Sequence, residues 1–234
     1  MIFFDSQIIH ALHNFSKNSP TFTEIMQLSA NNDFLNGGLL ATLLWFFWFH
    51  PANDLRKRRE QIVITIYGTL LAIIVGRILT NIIPFRIRPV LNPAMVNFYP
   101  DKLAANGLTF ETSMPSDHAV MFFALATGFF MISKKVGTLV YLYVTVVICF
   151  PRVYLGLHYP SDIEVGAIIG IIIMLLFTIP FINKILKDKT FLFHSKYPGI
   201  FYALFFLLTY QIGTMFDSCR ELAHFILKVL LHLY

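Results

Sequence analysis

The stretch RKRREQIVITIYGTLLAIIVGRILTNII, residues 56–83, decides the fold. It sets four consecutive cations, Arg56, Lys57, Arg58 and Arg59, before a run from Gln61 to Ile83 whose only charge is Arg77. About 20 apolar residues in a helix cross the hydrocarbon layer of a bilayer, so 61–83 is predicted to span a membrane. A basic cluster marks the cytoplasmic foot of such a helix. Arg77 then lies near its outer end.

The rest of the chain agrees with that reading. Of 234 residues, 56% are hydrophobic and only 13% charged, and Phe alone contributes 25. Soluble domains are about a quarter charged. Further apolar segments at 34–49, 117–133, 136–151, 162–182 and 198–215 complete the pattern. The expected fold is therefore all-α: a polytopic membrane bundle of about six transmembrane helices, forming one domain over residues 1–234. Several segments fall short of an upright crossing and need cover from neighbouring helices.

Both termini are expected to lie along the membrane surface. Residues 1–30 suggest short amphipathic helices broken by Asn14, Ser16, Asn18, Ser19 and Pro20. The tail from Glu221 to Tyr234 gathers Leu222, Phe225, Ile226, Val229, Leu230 and Leu233 on one helical face. The N-terminus lacks the basic start and small-residue cleavage site of a signal peptide, so it is expected to stay on the mature protein. The net charge of +5 sits in clusters rather than on one face, and no nucleic-acid-binding motif is present. Membrane lipids, not nucleic acids, are the expected partners, and no pattern specifies an oligomeric state. Cys149 and Cys219 form no CxxC pair, and Cys149 fits a small buried hydrophobe.

The cations fix the sides. Lys134-Lys135 separates the third and fourth spans, and Lys184, Lys187, Lys189 and Lys196 follow the fifth. With six spans, these clusters and Arg56–Arg59 all fall on the cytoplasmic face. The loops 84–116 and 151–161 then share the outer face, and they hold most of the other unusual polar residues. Three patches stand out there: Arg77, Arg86 and Arg88 around residues 77–89; MPSDHA, residues 114–119; and FPRVYLGLHYPSDIEVG, residues 150–166.

Each patch alone has a plain structural reading. Arginines snorkel at helix ends, and Pro-Ser-Asp caps a helix. Their coincidence on one side of a chain that avoids charge is what marks function, since ionisable groups at membrane depth are costly. Together they suit a phosphate. Guanidiniums bind its non-bridging oxygens, and the turn Pro115-Ser116-Asp117-His118 offers backbone N–H groups at a helix N-terminus. A neutral His158 can attack phosphorus if Asp162 holds its other N–H, and His118 can serve as general acid. The cycle uses no cofactor. A metal site on His118, His158 and Asp162 is the competing reading, disfavoured because the arginines would repel a cation.

These residues resemble the type 2 phosphatidic acid phosphatase family of membrane phosphatases. Arg88-Pro89 matches its RP pair, Pro115-Ser116-Asp117-His118 its PSGH with Asp for Gly, and Arg152, His158 and Asp162 its R-x5-H-x3-D. The resemblance implies His158 as nucleophile, Asp162 as its orienting partner, His118 as acid, and phosphate contacts from Arg88, Arg152 and Ser116. There are three departures. Asn81 stands where the family has lysine, with Arg77 or Arg86 as the replacement and Arg86 preferred. Pro151 stands for a serine. Asp117 adds a carboxylate, although its backbone N–H can still serve the phosphate. PSDH is similar to bacterial undecaprenyl-diphosphate phosphatases of the family.

The expectation is a metal-independent lipid phosphatase of a bacterial cytoplasmic membrane, with its site facing the exterior. Undecaprenyl diphosphate is the preferred substrate, and phosphatidylglycerol phosphate or lipid A are alternatives. The layout of the N-terminal region also resembles the family's lipid A phosphotransferases, in which a lipid takes the place of water. A transporter or channel path is the non-enzymatic alternative, disfavoured because the chain shows no internal repeat and its outer charges sit at one edge.

Overall fold

A 28-residue helix, α4 (Leu55–Ile82), is the axis of the molecule. At 1.5 Å per residue it is about 42 Å long, which takes the Arg56–Arg59 run into its first turns and Arg77 into its last two. Asp54 caps it by accepting from the Lys57 N–H at 2.8 Å. It ends at Ile83, before Pro84. The computed structural model describes residues 3–16, 19–95, 98–99, 112–217, 219, 222, 225 and 226.

In the chain, α1 (Phe3–Ser16), α2 (Pro20–Asn31) and α3 (Leu39–Phe49) precede α4, and α5 (Asp117–Ile132) comes after it. They are followed by α6 (Lys134–Tyr143), α7 (Phe150–Tyr154), α8 (Pro160–Leu176), α9 (Pro180–Lys196) and α10 (Pro198–Gly213). A π-turn, Phe34–Gly38, leads into α3, and a second, Val144–Cys149, joins α6 to α7. Among the described residues every regular element is helical.

Length and composition separate these helices. Two rods, Leu55–Ile82 and Lys134–Tyr154, are long and apolar enough to cross a membrane. The pair α8 and α9 makes a third if taken as one span bent by 73°. Phe34–Phe49, Asp117–Ile132 and Pro198–Gly213 are apolar but shorter. The uninterrupted span expected at 162–182 is thus broken: α8 stops at Leu176, and Pro180, which has no N–H to continue it, opens α9. The expected N-terminal helices are α1 and α2. All but a few residues of the expected tail helix at 221–234 lie outside the described residues.

The bundle has two chemically distinct ends. Lys187 on α9 bridges Glu60 on α4 at 3.0 Å, and the Arg56 guanidinium lies 4.8 Å from the Phe191 ring centre. The basic foot of α4 and the basic helix α9 therefore share one end. Arg77, the start of α5 and the start of α8 share the other.

Helix α5 is the inner post, packed on α4 and α8. Small residues permit this closeness. A Cβ on Gly166 of α8 would sit 2.8 Å from the Ser116 carbonyl oxygen, and one on Gly170 would overlap the Val120 carbonyl. The Gly-x-x-x-Gly spacing lets the two backbones touch. Gly170→Leu is therefore expected to separate α8 from α5 and lower the melting temperature in detergent by several degrees, consistent with overpacking costs of about 1–3 kcal/mol. An unchanged transition would show that the two helices do not rely on this contact.

Candidate active site

The start of α8 is where the site is built. Pro160 opens the helix, and Asp162 reaches back so that its Oδ2 accepts the Tyr159 N–H at 2.8 Å. Two further donors meet the same carboxylate. Arg86 approaches Oδ1 at 2.5 Å, and the Ser113 hydroxyl donates to Oδ2. Asp162 is fully buried.

His158 lies in the turn between α7 and α8. Gly156, at φ +72°, makes that turn in a conformation open to few residues besides glycine. Its carbonyl accepts from Val90 at 2.9 Å, which pins the 84–91 segment alongside. The imidazole Nδ1 stands 2.8 Å from the Ser113 carbonyl oxygen, and Nε2 stands 3.2 Å from Arg88 Nη1. A carbonyl oxygen requires an N–H opposite it, and a guanidinium N–H requires a lone pair. These partners assign a neutral imidazole, protonated on Nδ1, with its Nε2 lone pair toward the cavity. Burial pushes its pKa below the ordinary imidazole value, and the Arg88 charge adds to this; the Asp162 carboxylate and the Ser113 carbonyl act against it.

Asp162 is 3.7 Å from Nδ1. That is longer than a hydrogen bond, so the Ser113 carbonyl is the nearer partner of Nδ1, and the carboxylate expected from the sequence faces the same nitrogen from behind it. Asp162 acts one step back by holding the Ser113 hydroxyl. Ser113 had no signal of its own beyond its place just before Met114-Pro115.

A cavity of about 500 Å³ opens in front of His158, lined by Arg77, Asn81, Arg88, Thr112, Asp117 and His158, among others. The four arginines divide sharply. Arg88 and Arg77 line the cavity, and Arg77 bridges Asp117 at 2.8 Å. Asn81 donates to the Arg77 carbonyl one turn earlier. The side chain beside Asn81 on the wall is thus Arg77, where the sequence favoured Arg86. Arg86 is turned into the protein, bonded to Asp162, to Ser161 and to Asp5.

Arg152 is also turned inward, 2% exposed, and donates to the carbonyls of Ile148 and Ala30 at 2.8 and 3.0 Å. Its own carbonyl accepts from Leu157 and His158, so it shapes the histidine turn from behind rather than from the cavity wall. Pro151 has no N–H for the preceding turn. The Val147 carbonyl instead accepts the Ser29 hydroxyl at 2.7 Å.

Ser116 is buried as the N-cap of α5, its N–H donating to the Asp162 carbonyl at 3.2 Å and its hydroxyl accepting from Ala119. His118, beside Asp117 in the first turn of α5, is half-buried with its ring 6.2 Å from Phe122.

The geometry sets an imidazole whose Nε2 accepts from Arg88 at a cavity that Arg88, Arg77 and the first turn of α5 line, a lining suited to an anion. The chain belongs to the PAP2 superfamily, whose model matches residues 61–185, more than half of its length. It is 29% identical over 137 residues to the bacitracin transport permease protein BcrC of Bacillus licheniformis, a match covering 57% of this chain and 60% of that protein. It is 28% identical over 203 residues to the lipid A 1-diphosphate synthase of Escherichia coli K12, covering 82% of this chain and 86% of that protein. It is 23% identical over 171 residues to the undecaprenyl-diphosphatase BcrC of Bacillus subtilis 168, covering 73% and 81%. No solved structure matches the chain.

Asp117 competes with any bound anion for Arg77. Asp117→Asn is therefore expected to tighten inorganic phosphate binding about three- to tenfold, read by titration calorimetry. Weaker binding in the variant would mean that Asp117 holds Arg77 in place for the anion.

Proposed function

We propose that the chain is a membrane lipid phosphatase that removes the terminal phosphate of a lipid diphosphate through a phosphohistidine on His158. Undecaprenyl diphosphate is the preferred substrate. The observation that carries this reading is the His158 hydrogen-bond pattern, a buried neutral imidazole whose Nε2 faces Arg88 and the cavity. The family, and a Bacillus subtilis relative bearing the name undecaprenyl-diphosphatase, support the substrate class.

The cycle runs as two displacements. The phosphate draws Arg88 from Nε2 onto its own oxygens, which frees the lone pair; Arg77 adds a second guanidinium. Nε2 attacks phosphorus, a P–N bond forms, and the P–O bond to the lipid monophosphate breaks. His118 gives the leaving oxygen its proton. The Ser113 carbonyl and the Asp162 charge stabilise the imidazolium-like ring that results. A water then attacks phosphorus, returns a proton to His118, breaks the P–N bond and leaves as inorganic phosphate. No step calls for a metal ion.

The same reading places six crossings in a bacterial cytoplasmic membrane, with the shorter helices Phe34–Phe49, Asp117–Ile132 and Pro198–Gly213 completing the set. The site end then faces outward, because the opposite end carries Arg56–Arg59 and α9.

Phosphate release by purified protein in detergent tests the proposal, with phosphatidylglycerol phosphate and lipid A run beside undecaprenyl diphosphate. His158→Ala is expected to lose at least about a thousandfold in kcat, His118→Ala about a hundredfold or more, and EDTA to change nothing. Substantial turnover by His158→Ala would overturn the assignment. Because His158 must be neutral to attack and its pKa is lowered, the acid limb of kcat/KM is expected below the ordinary imidazole value of about 6.5. A limb above that value would mean that Asp162 outweighs burial.

A second reading changes only the acceptor. The match to the lipid A 1-diphosphate synthase extends over 82% of this chain, beyond the 61–185 core. With a lipid in place of water, labelled phosphate would appear on a second lipid rather than as free phosphate.

A further inference from the structure

Asp5 is the feature that the proposed cycle leaves unused. It lies on α1, outside the region that defines the family, and it is completely buried. A buried carboxylate is costly unless paired and hydrogen-bonded, and Asp5 has found several partners. Its Oδ2 meets Arg86 Nη2 at 2.7 Å and the Ser161 hydroxyl at 2.8 Å, and its Oδ1 accepts the Ser161 N–H at 3.0 Å. Arg86, on its other nitrogen, holds Asp162 and the Ser161 hydroxyl, and its guanidinium stacks 4.0 Å over the Tyr159 ring. One guanidinium is thus shared between two buried carboxylates, one of which stands beside His158.

We propose that Asp5 and Arg86 are a positioning pair which sets the place and the effective charge of Asp162 beside His158, making the N-terminal helix a working part of the catalytic site. With Arg86 alone, the Asp162 charge would be cancelled. With Asp5 opposite, the three groups carry one net negative charge, and that charge faces the ring that must become cationic when it takes the phosphoryl group. The pair also holds Ser161 and Tyr159, which flank the α8 N-terminus, and so fixes the register of the His158 turn. This inference rests on the phosphohistidine reading above.

The other charged or titratable groups near His158 differ in kind. Arg88 touches Nε2 from the 84–91 segment, Arg77 on α4 and Asp117 on α5 line the cavity, and His118 stands in the first turn of α5. On α1 itself, His10 and His13 pack their rings on Phe98. Asp162 itself is met by Arg86, which Asp5 holds from the other side, and this makes the Asp5–Arg86 pair its charged support. Its removal therefore has a signature in sign.

The test is a charge series on the full-length protein: Asp5→Asn, Arg86→Gln and the double variant. Each is read by the acid limb of kcat with undecaprenyl diphosphate, and by the titration of 15N-histidine-labelled protein in NMR without substrate. Asp5→Asn leaves Asp162 cancelled by Arg86, so the His158 midpoint is expected to fall by roughly half a pH unit. kcat should drop about tenfold or more with KM little changed. Arg86→Gln leaves two uncancelled carboxylates, so the midpoint should rise by a similar amount. The double variant should return to the starting value, and Asp5→Glu should recover most of kcat.

Midpoints that stay put while activity falls would reduce the pair to a structural clamp and overturn the proposal, as would shifts of the same sign in both single variants. Should Asp5→Asn fail to fold, the rise in Arg86→Gln alone decides. Because the NMR titration needs no turnover, absence of phosphate release from the unaltered protein would defeat the phosphatase reading without touching this result.

Discussion

Everything in the site hangs on one buried negative charge. Asp162 is shut off from solvent and surrounded by Arg86, the Ser113 hydroxyl and the Tyr159 N–H. A charge so placed must be met from several directions, since removing one partner of a buried pair costs roughly 3–5 kcal/mol. Meeting it joins four separate pieces of chain: α1 through Arg86 and Asp5, the 84–91 segment, residues 112–113, and the start of α8. Cap, anchor and electrostatic partner are thus one carboxylate.

Precision at His158 follows from that network and from the rigid frame behind it. Gly166 and Gly170 let α8 press on α5, so the two helix N-termini that flank the cavity share a fixed relation. Ser29 takes up the Val147 carbonyl that Pro151 leaves without a backbone donor, and Arg152 bonds the neighbouring Ile148 carbonyl. The imidazole is therefore held from behind by backbone, through Ser113 and Arg152, while Nε2 is left toward Arg88 at the cavity. Groups held in place before substrate arrives need little reorganisation during the reaction.

The division of the arginines has the same origin. A membrane protein carries few charges, and each buried one needs a partner. Arg88 and Arg77 lie where an anion can replace their present partners. Arg86 is bonded to two buried carboxylates, one of them Asp162, and Arg152 to buried carbonyls behind the histidine turn. Residues of one type and similar position thus differ in surroundings: Arg88 and Arg77 line the cavity, whereas Arg86 and Arg152 are directed to buried oxygens behind it.

The sequence by itself determined the class: its apolar runs, capping signals and basic clusters set where helices form and which ends of the bundle share a charge. The spacing of Arg152, His158 and Asp162, with Arg88-Pro89 and the Pro-Ser-Asp-His turn, also pointed to the candidate site, because each of those relations lies within one loop or one helix start. What only the tertiary structure decided is who pairs with whom. Asp5 meets Arg86 across 81 positions and Ser113 meets His158 across 45, and neither pairing leaves a periodicity or spacing in the chain. The bend between α8 and α9, the inward turn of Arg86 and Arg152, and the choice of Arg77 for the cavity wall follow from packing. Hydrogen-bond partners are chosen by distance in space, and the chain order holds no record of it.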